Sequence, residues 1–246
     1  MRQQRVPIAI LRSVQIGMPK HYGSEEAADT HDQPWTTGFF KSPVEGRVFV
    51  STTNLSGDGQ ADLVDHGGID KAVLAYSADH YPKWREELSM PGMPYGAFGE
   101  NLTIAGLSEA SVCIRDTFRN GTVTFEVSQP RQPCWKLARR WRMHELLPMV
   151  VRNGRSGWYF RVLQEGWIEA GMPVTLVNRP NPEWTVARAN EIMNHRRRDV
   201  ELALELSAVP GLANSWVEEL RERAEQLRTM NEEESATGSE LADETL

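Results

Sequence analysis

Cysteine is scarce in this chain. Cys113 and Cys134 are the only two among 246 residues, too few for a zinc cluster or a disulfide framework. This favours a reducing compartment, and we expect a cytoplasmic protein. Long apolar stretches are absent too, which excludes a membrane-spanning helix and any membrane partner of that kind. The apolar segment at residues 6–11 is too short for a secretory signal and runs into Arg12.

Signatures of several enzyme classes are also missing. The sequence has no Walker loop, no GxGxxG entering a helix, no HExxH and no GxSxG. Its six histidines are scattered without the spacing of metal ligands. The absence of these motifs argues against the common nucleotide-binding folds, the zinc peptidases and the α/β-hydrolases.

Negative charge is concentrated at one end. The net charge is −7, but residues 231–246 hold six acidic and no basic residues, which leaves the rest of the chain at −1. A nearly neutral body offers no electrostatic case for a nucleic-acid partner. A local basic patch could still bind a small anion.

The first two-thirds of the chain have the pattern of a β protein. Short β-branched runs separated by Gly- and Pro-rich turns predict many short strands, and the alternation at residues 122–127 is the clearest. This pattern is typical of a barrel or a sandwich. Helices are predicted after Ser77, a good N-cap, and after Cys134.

The strand pattern ends near Pro180 and Pro182. Beyond them Thr185, Asp199 and Ser215 are candidate N-caps for three helices. Such a small unit is expected to pack against the β domain or against a second subunit, which would make a homodimer. The predicted divisions are a β domain over residues 1–180, a three-helix domain over 184–229 and a frayed or disordered acidic tail over 231–246.

The segment around Cys134 carries the strongest chemical signal. Two prolines stiffen the preceding loop, Cys134 lies at a predicted helix start, and Arg131 and Lys136 are close. These conditions stabilise a thiolate, which can be a nucleophile, a persulfide carrier or a soft metal ligand. The alternative is a small buried cysteine between domains. Cys113, in a predicted strand, is expected to fill the core.

Three further segments combine glycines with polar groups. The His66–Lys71 segment could bind an anion through backbone N–H groups and two cationic side chains, with Asp70 orienting either of them. Asn101 could recognise the edge of a heterocycle. Arg155 and Ser156 could grip a phosphate. Taken singly, each segment also fits an ordinary tight turn.

Together these segments resemble one family. HGGIDKAV, GAFGENLTIAGL, VSQPRQPCWKL and GRSGWYFRVL occur in the order typical of YiiM-like proteins of the MOSC superfamily, whose name refers to the C-terminal domain of molybdenum cofactor sulfurase. GDGQAD, at residues 57–62, fits as well. The resemblance covers about residues 38–177, and the predicted helices beyond resemble the three-helix domain of that family.

The resemblance implies a mainly β fold, a MOSC-type β-barrel followed by a small three-helix domain. It also implies a molybdenum-pterin cofactor, with Cys134 as metal ligand and catalytic residue. Arg115 departs from the glycine expected before Asp116, and Met172 from an expected Asp. The residues implied to bind the cofactor are Lys41, His66, Gly67, Gly68, Asp70, Lys71, Glu100, Asn101, Arg131 and Arg155.

The function implied by the resemblance is the reduction of N-hydroxylated small molecules, such as N-hydroxylated purines. Because the chain has no flavin or nicotinamide fingerprint, the electrons must come from a separate redox protein. Two alternatives remain open at this point. Cys134 could carry a persulfide, or the protein could carry the molybdenum cofactor without turnover.

Overall fold

A computed structural model describes residues 8–64 and 66–243. The first seven residues of the predicted β domain and the last three of the predicted tail lie outside the described residues. The strands are β1 (Ala9–Ile16), β2 (Lys20–Tyr22), β3 (Trp35–Thr37), β4 (Ser42–Pro43), β5 (Val48–Val50), β6 (Val73–Ser77), β7 (Leu102–Ala105), β8 (Thr117–Asn120), β9 (Val123–Pro130), β10 (Trp158–Gln164), β11 (Gly166–Ile168) and β12 (Pro173–Asn178). The helices are α1 (Tyr81–Glu87), α2 (Trp135–Trp141), α3 (Leu146–Asn153), α4 (Val186–Asn194), α5 (Val200–Ser207) and α6 (Asn214–Asp243).

Seven strands close into a barrel. Their order is β12-β8-β9-β10-β6-β7-β1, and β1 pairs back onto β12. The pairing of β6 with β7 is parallel, and the other pairings in the ring are antiparallel. Closure removes the open sheet edges that would otherwise expose unpaired backbone groups. The predicted β-barrel is therefore confirmed.

The alternation in β9 shows why its residues form a barrel strand. Val123, Phe125 and Val127 are buried, while Thr124 and Glu126 between them are half-buried. Successive side chains of a strand point to opposite faces, so the apolar set fills the interior. The predicted strand at residues 122–127 is confirmed, and it continues to Pro130, directly before the loop that carries Cys134.

The connection between β6 and β7 contains the first predicted helix. Two parallel strands need a crossover, and residues 78–101 supply it. Ser77 accepts a hydrogen bond from Asp79 N at 3.2 Å, but it caps a short 3-10 turn, and α1 begins only at Tyr81. Tyr81 and Trp84 are buried in a second apolar cluster outside the barrel.

The predicted helix after Cys134 is confirmed as α2. It ends where Arg142 adopts a left-handed conformation with φ of 52°. Helix α3 then follows, although no helix was predicted there. Pro148 discourages that prediction, yet it lies in the first turn of α3, where its missing N–H is not needed.

Two of the three predicted caps act as expected. Thr185 accepts from Arg188 N and Asp199 from Leu202 N, both at 3.0 Å, at the starts of α4 and α5. Helix α6 begins at Asn214, so Ser215 lies inside it and is not the cap. Helix α6 also continues to Asp243 instead of ending near residue 229, so the predicted tail is helical as far as the structure describes it.

The C-terminal helices pack against the barrel. Trp216 and Leu220 belong to the same buried apolar cluster as the barrel interior. Ala213 N donates to Ser128 O of β9 at 3.0 Å, and Asn190 donates to Ser156 Oγ at 2.9 Å. Packing on the β domain was one of the two expected arrangements, and a homodimer stays a prediction. Among the described helices, none combines the length and apolar character needed to cross a bilayer.

Arg115, which stands where a glycine was expected, adopts the backbone conformation of a glycine turn. Its φ is +68°, in the left-handed region that glycine adopts most easily. A Cβ on Gly211 would lie 2.7 Å from Arg115 Cδ, so the arginine side chain packs closely on the turn before α6. The position keeps the conformation of a glycine turn, and its side chain contacts the helical unit.

Candidate functional site

A cavity lies beside the loop that follows β9. It brings together segments far apart in sequence, including five basic side chains and one thiol. A neighbouring groove shares its outer wall and adds Trp135. The cavity is lined by Thr37, Gly38, Phe39, Lys41, Gly59, Gln60, Ala61, His66, Lys71, Leu74, Phe98, Gly99, Asn101, Arg131, Gln132, Cys134, Lys136 and Tyr159.

Cys134 lines both the cavity and the groove. It is the N-cap residue of α2, with extended backbone (φ −118°, ψ 169°), and its side chain makes no capping hydrogen bond. The thiol is partly exposed. Its sulfur is therefore not committed to capping the helix and faces a space where a ligand can bind.

Arg131 lies inside the cavity wall. The residue is only 3% exposed, and its Nη2 donates to Phe98 O at 3.3 Å. Its buried Nη1 has no hydrogen-bond partner among the described residues. A buried charged donor without a partner is costly unless a ligand completes it. Arg131 therefore places a charged donor that lacks a protein partner among the described residues in the wall of the cavity.

Lys41 is held by a carboxylate that the sequence analysis did not single out. Lys41 Nζ forms a buried ion pair with Asp58. Asp58 also accepts from Gly17 N and from Asn101 Nδ2, both at 2.8 Å. Burial lowers the pKa of Lys41, and the Asp58 charge opposes that effect. Asp58 lies in the GDG turn, where an acidic residue between two glycines was the available signal.

Asn101 lines the cavity as expected, but its amide is already in use. Its Nδ2 donates to Asp58 and to Gln15 O, and its Oδ1 accepts from Leu74 N at 3.2 Å. Both amide hydrogens are therefore taken, and recognition of a heterocycle edge by Asn101 stays a prediction. Asn101 instead ties β1, β6 and the Asp58 turn together behind the cavity.

Tyr159 of β10 also lines the cavity. Its neighbours Trp158 and Phe160 are buried in the barrel, and Tyr159 points to the other side of β10. Desolvation raises the pKa of its hydroxyl, and the Arg131 charge opposes that rise. The two-residue period of a strand was the signal that separates Tyr159 from its neighbours.

Glu100 does not line the cavity. It is fully buried and accepts from Gly96 N at 2.8 Å, Phe98 N at 3.1 Å and Thr103 Oγ1 at 2.9 Å. The carboxylate thereby fixes the turn that places Phe98 and Gly99 in the wall. Glu100 shapes the site from behind and is not in position to contact a ligand in the cavity.

The predicted anion-binding segment is only partly in the cavity. His66 and Lys71 line it, whereas Gly67, Gly68 and Asp70 do not. Gly68 has a φ of +91°, which explains the need for glycine there. Asp70 forms an ion pair with Arg161, and its role of orienting His66 or Lys71 stays a prediction.

Arg155 corrects another expectation. Its two terminal nitrogens each donate to a Glu87 oxygen at 2.8 Å, and its guanidinium lies 4.8 Å from the centre of the Trp84 ring. It is absent from the cavity wall. The placement of Arg155 in a phosphate-binding set is therefore wrong, because the neighbouring cluster around α1 holds it elsewhere.

We expect the two cysteines to differ strongly in reactivity. Cys113 is 1% exposed, and burial together with the nearby Asp116 charge raises the pKa of its thiol. Cys134 is partly exposed beside cationic side chains. Iodoacetamide at neutral pH should therefore label Cys134 at least about tenfold faster in the folded protein. Peptide mass spectrometry at several time points measures both rates, and equal rates would contradict this placement of the cysteines.

Family comparisons agree with the two parts of the chain. The MOSC domain family matches residues 62–175. The family described as YiiM-like, 3-alpha helix domain matches residues 184–226. The first match contains Lys71, Asn101, Arg131 and Cys134 of the cavity wall, and the second contains α4, α5 and the first part of α6.

Similar proteins cover most of the chain. YflK of Bacillus subtilis is 40% identical over 216 residues, which is 88% of this chain and 93% of YflK. A protein of Gibberella moniliformis named Reductase is 39% identical over 178 residues, which is 71% of this chain but 32% of that longer protein. The crystal structure of YiiM from Geobacillus stearothermophilus superimposes with a TM-score of 0.73 at 35% identity, covering 88% of this chain and 99% of that one.

Proposed function

This chain belongs to the MOSC family and carries its YiiM-like three-helix domain, and from that premise we propose that it is a molybdenum-cofactor-dependent reductase. Its substrates are N-hydroxylated small molecules such as N-hydroxylated purines, and its product is the corresponding amine. The relative named Reductase supports an oxidoreductase activity. Electrons come from a separate redox protein.

The observation that carries this proposal is that one cavity is lined by a thiol and by an arginine with one buried nitrogen that has no partner among the described residues. Cys134 offers sulfur, a ligand type that suits a soft metal centre. Arg131 Nη1 offers a buried donor with no partner among the described residues. A molybdenum-pterin cofactor presents a metal and a phosphate. The sulfur of Cys134 suits the metal, and the guanidinium of Arg131 suits the phosphate.

The residues of the wall divide the work of holding such a cofactor. Arg131 donates to its anionic part, and Lys71 and Lys136 add positive charge to the same wall. Lys41, neutralised by Asp58, contributes less charge than the sequence analysis assumed. Cys134 binds the metal as thiolate, since the thiolate is the form that ligates metals.

The reaction consumes two electrons and two protons. The N–O bond of the N-hydroxylated substrate breaks, one proton is added to nitrogen to give the amine, and the other is added to the hydroxyl oxygen, which leaves as water. The bound molybdenum cofactor supplies the two-electron redox centre. The protein positions the N–O group near Cys134 and surrounds it with the cationic wall, which attracts electron-rich oxygen.

The test combines composition and turnover. Protein from molybdenum-replete cells should contain close to one molybdenum per chain and should reduce N6-hydroxyadenine to adenine when a chemical or protein reductant is supplied. Labile sulfur on Cys134 without molybdenum would favour a persulfide carrier instead. Molybdenum without any reduction would favour a cofactor carrier.

Replacing Arg131 should weaken cofactor retention. Arg131→Ala removes the unpaired buried donor from the wall, and we expect molybdenum content after desalting to fall about tenfold, in line with the loss of one charge-assisted hydrogen bond. Arg155→Ala is the matched control, because Arg155 pairs with Glu87 outside the cavity. Inductively coupled plasma mass spectrometry measures both. Equal losses in the two variants would remove Arg131 from the binding set.

A further inference from the structure

An exposed tryptophan stands at the mouth of the site. Trp135 is the first residue of α2, immediately after Cys134, and lines the groove next to the cavity. It is 52% exposed. Large aromatic side chains are normally mostly buried, so half of an indole left open beside a reactive thiol calls for an explanation.

The inner side of Trp135 is firmly supported. Trp35 of β3 lies 5.4 Å from it between ring centres. The guanidinium of Arg139 lies 4.6 Å from the Trp35 ring centre and 5.6 Å from that of Trp135. Arg139 also donates to His31 O at 3.2 Å and to Gln33 O, which anchors it to the loop before β3. The indole is thus held in place by cation–π and aromatic contacts.

The support extends further into the β2–β3 hairpin. Phe40 lies 5.9 Å from Trp35, and Tyr22 lies 4.5 Å from Phe40, again between ring centres. The four aromatic rings therefore form a continuous cluster of tilted and edge-to-face contacts that ends in the exposed indole of Trp135. A side chain buttressed in this way loses little entropy when a ligand covers it, so its remaining surface is available for binding.

We propose that Trp135, supported by Trp35 and Arg139, is the stacking surface for the flat ring of a purine-type substrate. This inference rests on the proposed function and adds a residue that selects the substrate class. Trp135 and Cys134 are consecutive residues that line the same groove, so a purine ring stacked on the indole would lie beside the thiol. Every base has a π-face, so stacking favours heteroaromatic rings over aliphatic N-hydroxylated compounds of the same reactivity.

The test uses the protein as purified and measures binding without turnover. Isothermal titration calorimetry with N6-hydroxyadenine should give a dissociation constant about tenfold higher for Trp135→Ala than for the unchanged protein, the typical loss of one base–aromatic stack. Trp135→Phe should retain most of the affinity. Acetohydroxamic acid, which has no ring, should bind all three proteins equally.

Trp167→Ala is the matched control. Trp167 is 48% exposed and makes an edge-to-face contact with Phe49, with ring centres 5.3 Å apart, but it does not line the cavity or the groove. It should bind the purine like the unchanged protein. If Trp135→Ala binds the purine as well as Trp167→Ala does, or if no variant binds it, the stacking surface is disproved.

Failure of the reductase proposal gives results that differ from failure of the stacking surface. If the purine binds through Trp135 but molybdenum-loaded protein does not reduce it, the stacking surface stands and the reductase proposal falls. If the loaded protein reduces it with the same KM in Trp135→Ala, the reductase proposal stands and the stacking surface falls. A rise in KM for the purine alone, with unchanged kcat, supports both.

Discussion

Cys134→Ser should lower the reduction of N-hydroxylated purines at least about a hundredfold and should lower molybdenum content with it. A serine oxygen at ordinary acidity is a poor replacement for a thiolate on a soft metal centre. The fold should persist, because the Cys134 side chain makes no capping hydrogen bond and is partly exposed. Turnover, metal content and thermal unfolding measured on one preparation check all three expectations.

Cys113→Ser is the control for that experiment. Cys113 is buried and its Sγ lies 3.4 Å from Pro182 O, away from the cavity. This variant should keep both molybdenum and turnover while losing some thermal stability. Wild-type turnover by Cys134→Ser would remove the metal-ligand role and the persulfide-carrier alternative together.

Asp58→Ala should be the most destabilising single change near the site. It strands the buried Lys41 ammonium and leaves Gly17 N and Asn101 Nδ2 without their common acceptor. Removing one partner of a buried ion pair costs about 3–5 kcal/mol of unfolding free energy. Urea unfolding followed by circular dichroism measures the loss.

The double variant Asp58→Leu/Lys41→Met separates the ion pair from the rest of the network. It removes both charges at once, so it should be more stable than Asp58→Ala. Asp29→Ala is a surface control, since Asp29 pairs with Arg142 where both side chains are about half exposed, and it should change stability little. If Asp58→Ala unfolds like Asp29→Ala, the buried network does not stabilise the site.

Much of the architecture could be predicted from local signals. Thr185 and Asp199 are short-range caps whose partners lie three residues away, and both act as predicted. The helix after Cys134 and the alternation of β9 are equally local. These features depend only on residues that are close in sequence, so the sequence alone is enough to predict them.

What the sequence could not provide depends on distant partners. Arg155 looks like an anion-binding residue until Glu87, 68 positions away, is found beside it. Asp58 gains its importance from Lys41 and from Asn101, which is 43 positions away. Helix α3 was not predicted, and its Pro148 lies in the first turn, where a proline is tolerated.

The shared core of barrel and helices has a consequence for how such genes recombine. Trp216 and Leu220 belong to the same apolar cluster as the strands. Ala213 N donates to the carbonyl oxygen of Ser128 in β9, and Ser128 is six residues before Cys134. Loss of the helices alone would expose apolar side chains of this cluster and remove the hydrogen bond to Ser128 of β9. This packing favours the inheritance of the barrel and the helices as one unit.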